Sequence, residues 1–217
     1  MVGFGVLLLC IIMGLTYNSR RMPPFPTAGP GLEWPPPPPP LPRRPRILSA
    51  HTKITFAIAN WFIDKANATG VLINQISLQK LMYIAHGWHL ALMDGIPLVN
   101  EGIEAAPYGV SITGVREEVA DKGVWSIHSP LGDETKYPRL DCIIHKNTIA
   151  LLERVWETHR RFSPLELSSM TSKPGTPWSD MKPQLLQLKH DSSDLRIQIP
   201  DSSIQAYYNN LMKRVDS

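Results

Sequence analysis

Residues 76–95 read ISLQKLMYIAHGWHLALMDG, and the spacing of their apolar side chains predicts a helix. At 100° per residue, Leu78, Leu81, Met82, Ala85, His89 and Leu92 fall in one stripe, with His86 and Met93 on its flank. Gln79, Lys80 and Gly87 are the only polar or small arc, so most of the helix is expected to be covered. Ser77 is the expected N-cap and Gly95 the stop. The stretch raises one chemical question, because His86 and His89 stand three residues apart and an i, i+3 pair can converge on a metal. His89 at the centre of an apolar stripe, with no HExxH pattern around it, reads instead as a buried neutral histidine satisfied by a partner. Gly87 is expected to let another backbone approach.

Outward from this helix the pattern stays helical. A first helix is predicted over about 49–67 from Ile54, Ala57, Ile58, Trp61 and Phe62, with Gly70 beyond its end. After Gly95, the apolar pieces Ile96–Val99 and Gly102–Ala105, separated by an Asn-Glu-Gly turn, predict a small hairpin. A helix follows over about 112–122 with Ser111 as cap, and another over about 147–161 with Ile149, Leu152, Val155 and Trp156 inward. In FSPLELSSM, Ser163, Pro164 and Glu166 form a capping box that starts a short helix. The loop SKPGTPW delivers Trp178 to a further short segment, and Asp201 starts a terminal helix that aligns Ile204, Tyr208 and Leu211. The fold class is mainly α with a small antiparallel β-hairpin, an α+β arrangement in a single helical domain.

The chain has 217 residues, 43% of them apolar, enough for one ordinary core. Of its 21 prolines, 12 precede Ile47. Charge divides at the same point: five arginines and Glu33 lie in the leader, while 17 basic and 18 acidic residues follow. The net +3 therefore belongs to the leader, and the domain lacks the basic footprint expected of a nucleic-acid binder. Residues 1–17 are an apolar segment, either a short membrane anchor or a start called too early, and residues 18–48 a proline-rich linker. An inserted anchor would keep Arg20, Arg21 and everything after them in the cytoplasm, at the inner membrane. Pro35–Pro40 hold that linker in an extended polyproline form that suits proline-recognising modules or a plain spacer. Cys10 and Cys142 make no disulfide framework, which fits a reducing compartment.

Enzyme motifs are missing: there is no GxSxG elbow, GxxxxGK[ST] loop or GxGxxG fingerprint. Cys142 has His145 near it in sequence only, and Glu117 and Glu118 fall on a helix surface; Glu104 is a further carboxylate. No catalytic, cofactor-binding or metal residue is assigned. The alternatives are a metal-dependent enzyme using His86 and His89, or a membrane-tethered adaptor built on the leader.

Taken in order, LQKLMYIAHGWHLAL, GIPLVNEGIEAAPYG, FSPLELSSMTSKPGTPW and IPDSSIQAYYNNL resemble the Panacea domain, the family of SocA-like antitoxins and phage-associated GepA-like proteins. The resemblance covers residues 49–213 and makes residues 49–217 a Panacea-like antitoxin domain. It implies a bacterial or phage-encoded interaction module that binds and neutralises a cognate protein toxin without catalysis, and that in some members delivers the toxin to a cytoplasmic protease. Leu78, Gln79, Lys80, Leu81, Tyr83, His86, Gly87 and Trp88 match the helix motif; Tyr108, Gly109, Gly175, Pro177 and Trp178 match two loop motifs. Of these, Lys80, Tyr83, His86, Trp88, Tyr108, Gly109, Pro177 and Trp178 are the candidates for partner contact, each weighed against plain core packing. Ala106 and Val110 stand where the family often has an aromatic residue and a proline.

Overall fold

The computed structural model describes residues 50–120, 126–132, 140, 144–187 and 195–215, so the apolar start, the proline-rich linker and both cysteines lie outside the described residues. Helix α1 spans Ala50–Thr69 and buries Phe56, Ile58, Ala59, Phe62, Ile63 and Ala66. It ends because Gly70 turns to φ 68°, which lets the Gly70 and Val71 amides reach back to the carbonyls of Asn67 and Ala66.

Helix α2, Gln75–Leu92, is the axle of the domain, with 13 buried residues spread over nearly its whole circumference. Its cap is Asn74 rather than Ser77. The Asn74 carboxamide oxygen accepts from the amides of Ile76 and Ser77 at 3.1 and 3.0 Å, and Ser77 is buried one turn inside the helix. The helix stops at Leu92, and the chain reverses through Asp94 and Gly95, both at positive φ, as expected for the glycine.

The hairpin is displaced from its predicted place. Strands β1, Ile103–Ala106, and β2, Gly109–Ile112, pair antiparallel around the Pro107–Tyr108 turn, with Ala106 opposite Gly109. Ile96–Val99 is not a strand: Pro97 lacks an amide donor, and the Val99 amide donates to a side chain of α2. A two-residue strand β3, Ile197–Gln198, joins the other edge of β1 and gives the order β2-β1-β3.

Helix α3, Thr113–Val119, starts directly from β2 and carries no side-chain cap at Ile112; Glu101 from the preceding loop takes the Gly114 amide instead. Helices α4, Lys146–His159, α5, Pro164–Ser172, and α6, Pro177–Gln187, follow close to their predicted positions. The capping box at α5 is present in both directions, because it depends only on residues three apart. Helix α7, Asp201–Val215, buries Ile204 and Tyr208. Helices α1, α4, α5 and α7 and strand β2 all pack on α2, so the domain is mainly helical with one small antiparallel sheet. None of the helices among the described residues is long and apolar enough to cross a membrane.

Candidate functional site

The two histidines of α2 are held in opposite tautomers. The His89 Nδ1 lies 2.8 Å from the Ile96 carbonyl oxygen, which can only accept, so Nδ1 carries the proton. Nε2 of the neutral ring then accepts from the Thr148 hydroxyl on α4 at 3.2 Å. His86 is reversed: its Nδ1 accepts from the Val99 amide at 3.3 Å, so Nε2 holds the proton and faces the Asp201 carboxylate at 3.2 Å. Each ring thus ties α2 to two other segments, and each lone pair is already engaged. A metal would have to displace Val99 or Thr148 to reach either ring. Among the described residues no group of three or more His, Cys, Asp or Glu could hold an ion.

Burial pushes the His89 pKa below its ordinary value of 6.5, and the neighbouring His86 pushes the same way, against the Ile96 hydrogen bond. The unfolded chain therefore binds a proton more readily than the folded one, and stability falls as pH drops below about 6.5. A histidine-resolved NMR titration should give His89 a midpoint below that value with the proton on Nδ1 at neutral pH. A midpoint above it would contradict the buried neutral ring.

The polar arc of α2 is also buried, and it grips the hairpin. Lys80, 5% exposed, donates from Nζ to the Val110 carbonyl at 2.6 Å, and Gln79 accepts the Ile112 amide at 3.1 Å. Val110 and Ile112 are two apart on the edge strand β2, so their free backbone groups point the same way, and α2 closes that edge. On the far side Trp178, at the start of α6, donates from Nε1 to the Ala106 carbonyl at 2.9 Å. Pro177 is buried at the first turn of the same helix. Gly109 adopts φ 117°, and a Cβ there would sit 2.9 Å from Lys80 Nζ. The hairpin is thus clamped from both sides, and its turn carries Tyr108, 92% exposed.

Tyr83 and Trp88 belong to a third cluster. The Trp88 ring meets Tyr208 edge-on with centroids 5.2 Å apart, and Tyr83 meets the same ring at 6.3 Å. Burial and the nearby Tyr207 raise the Tyr83 pKa far above the ordinary phenol value. Its hydroxyl is buried without a hydrogen-bond partner among the described residues, an arrangement that costs about 1–3 kcal/mol.

Glu104 sits between Arg116 and Arg196, at 3.9 and 3.8 Å, in a partly buried ion network beside the sheet. A depression of about 290 Å³ opens beside Asp201, and no hydroxyl or thiol side chain lines it among the described residues, so the His86–Asp201 pair has no nucleophile to activate there.

Of the eight candidates, only Tyr108 is fully exposed; Trp88 is half-buried, and Lys80, Tyr83, His86, Gly109, Pro177 and Trp178 are buried. Seven of the eight are thus at least partly buried in the packing around α2 and the hairpin. Nothing in the sequence marked Thr148, Val99 or Asp201 as their partners, since each is brought to α2 by tertiary packing.

Residues 78–179 match the family model described as antitoxin SocA-like, Panacea domain. This stretch of the chain is similar to the Panacea domain. Among curated proteins, Antitoxin SocA of Caulobacter vibrioides (strain NA1000 / CB15N) is 34% identical over 131 residues, covering 56% of this chain and 66% of that protein. The chain thus spans just under two thirds of its relative's length. No solved structure matches the chain. The stretch shared with the family model begins inside α2 and ends inside α6, so it holds the hairpin, both of its clamps and the capping box of α5.

Proposed function

We propose that this protein is a non-catalytic antitoxin that binds and neutralises a protein toxin encoded beside it. The observation that carries the reading is the 34% identity to Antitoxin SocA over a stretch of 131 residues. The geometry supports an interaction role: the polar chemistry of α2 is consumed in holding the hairpin, and what the hairpin offers outward is the exposed ring of Tyr108. An exposed tyrosine on a rigid turn is a suitable anchor for a protein partner, because it adds contact area with little entropy to lose.

The test is growth of cells expressing the neighbouring gene product with and without this chain. Neutralisation requires that the neighbour arrest growth alone and be tolerated when the chain is present, with the two proteins co-purifying. A neighbour that is harmless alone ends the antitoxin reading. Tyr108→Ser should leave the melting temperature within about 1–2 °C of wild type, as expected for an exposed side chain, and weaken the complex at least about tenfold. Unchanged affinity would remove Tyr108 from the contact surface.

A further inference from the structure

We propose that a pocket between α2, α5 and α7 receives one leucine-, methionine- or phenylalanine-sized side chain of the protein partner, flanked in that partner by an acidic residue that pairs with Lys173. The inference rests on the antitoxin reading for the partner's identity, and on the pocket itself for its chemistry.

The pocket has a volume of about 170 Å³. A cavity of about 150 Å³ is enough for a benzene-sized apolar molecule, whereas cofactor and drug-sized ligands need roughly 300 Å³ or more. Its walls include Tyr83, Trp88 and Tyr208 on one side and Met170 of α5 on the other, which sets an apolar occupant. Two polar features narrow the choice. The Tyr83 hydroxyl, buried with no partner among the described residues, calls for a hydrogen-bonding group beside the apolar one, which a peptide backbone carries and an alkyl chain does not. Lys173, exposed, is the only Lys, Arg, Asp or Glu among the described residues that line the pocket, so the charge there is positive and unmatched by an acid of the lining. An apolar side chain on a peptide, next to Asp or Glu, satisfies all three. Helix α5 takes part in both regions: its Ser168 lies 3.5 Å from where a Cβ on Gly109 would stand, and its Met170 lines the pocket.

The experiment uses the full chain as bait for a random dodecapeptide display library, followed by affinities of the enriched peptides for wild type, Met170→Asp and Lys173→Glu. Met170 is 37% exposed and Lys173 is exposed, so both variants are expected to fold. The expected result is a consensus of Leu, Met or Phe beside Asp or Glu. Its affinity should fall at least tenfold in each variant, and replacing the peptide's acid by Lys should restore binding to Lys173→Glu. No enrichment, a consensus lacking the apolar or the acidic residue, or equal binding by the variants overturns the proposal. The same variants tested against the neighbouring gene product separate the two claims. A complex that forms equally well with wild type and Met170→Asp overturns the pocket while leaving the antitoxin reading intact. Peptide binding with a harmless neighbour leaves the pocket as a peptide site and overturns the antitoxin reading.

Discussion

Gly87→Ala should destabilise the domain by about 2 kcal/mol, lowering the melting temperature by about 4–8 °C, although alanine is the better helix former. The glycine lies where α7 crosses α2, and a Cβ at Gly87 would fall inside the ring of Tyr208. Tyr208 is 4% exposed and cannot swing away, because Trp88 and Tyr207 meet its ring edge-on at 5.2 and 5.3 Å. Overpacking of this kind costs about 1–3 kcal/mol or more, against a propensity gain of at most about 1 kcal/mol, so the clash wins. Gly87→Val, larger and β-branched, should fail to give a cooperatively folding product. The discriminating measurement is a double-mutant cycle by urea unfolding. If the ring is the obstacle, the cost of Gly87→Ala vanishes in a Tyr208→Ala background, whereas additive effects would place the cost elsewhere.

That crossing also shows which parts of the fold sequence pattern can carry. Gly87 announced the approach of another backbone, but what lies against it is the side-chain ring of Tyr208 on α7, far away in the chain, and the pattern of α7 names no partner. Local rules did well where their atoms are local: the Ser163–Glu166 capping box and the glycine stop of α1 appear as read, and the stripe through Leu78, Leu81, Met82, Ala85 and His89 is buried, although its last member, Leu92, is 51% exposed. They failed where a distant group competes for the backbone. Ile96–Val99 has the composition of a strand, yet Pro97 offers no donor and His86 takes the Val99 amide, so the ladder starts seven residues later at Ile103. Ser77 has the composition of a cap, but the helix starts three residues earlier, where Asn74 accepts the amides of Ile76 and Ser77. The polar arc of α2 read as a surface is instead its attachment to β2, since a side chain's hydrogen-bond partner is invisible to helical periodicity. The pocket drew least signal of all: Met170 and Lys173 are ordinary surface residue types until α7 brings Tyr207 and Tyr208 over them.

Lys80→Met should be close to neutral for stability at pH 7 and clearly worse than wild type at pH 10.5. Desolvation lowers the Lys80 pKa to about 8 from 10.5, because its ammonium is 5% exposed and has no carboxylate partner among the described residues. Between those two pH values the unfolded chain holds the proton and the folded chain has released it, so wild-type stability rises with pH across that window. The 2.5-unit gap corresponds to about 3 kcal/mol of burial cost borne by the folded state at pH 7. Methionine removes that cost but also removes the donor to the Val110 carbonyl, a loss of about 1–3 kcal/mol for a buried acceptor, and the two nearly cancel. At pH 10.5 the neutral amine still donates to Val110 and the burial cost is gone, so only the loss remains. Urea unfolding at pH 7 and 10.5 should therefore show wild type gaining on the variant by about 3 kcal/mol, while parallel changes would mean that Lys80 titrates normally. Because the variant keeps its fold at neutral pH, a neutralisation assay with it at pH 7 reports on the charge beneath Gly109 and Tyr108 rather than on unfolding. Lys80 is thus a buried cation that adds almost nothing to stability at pH 7 and holds the turn that presents Tyr108, the most exposed large apolar or aromatic side chain among the described residues.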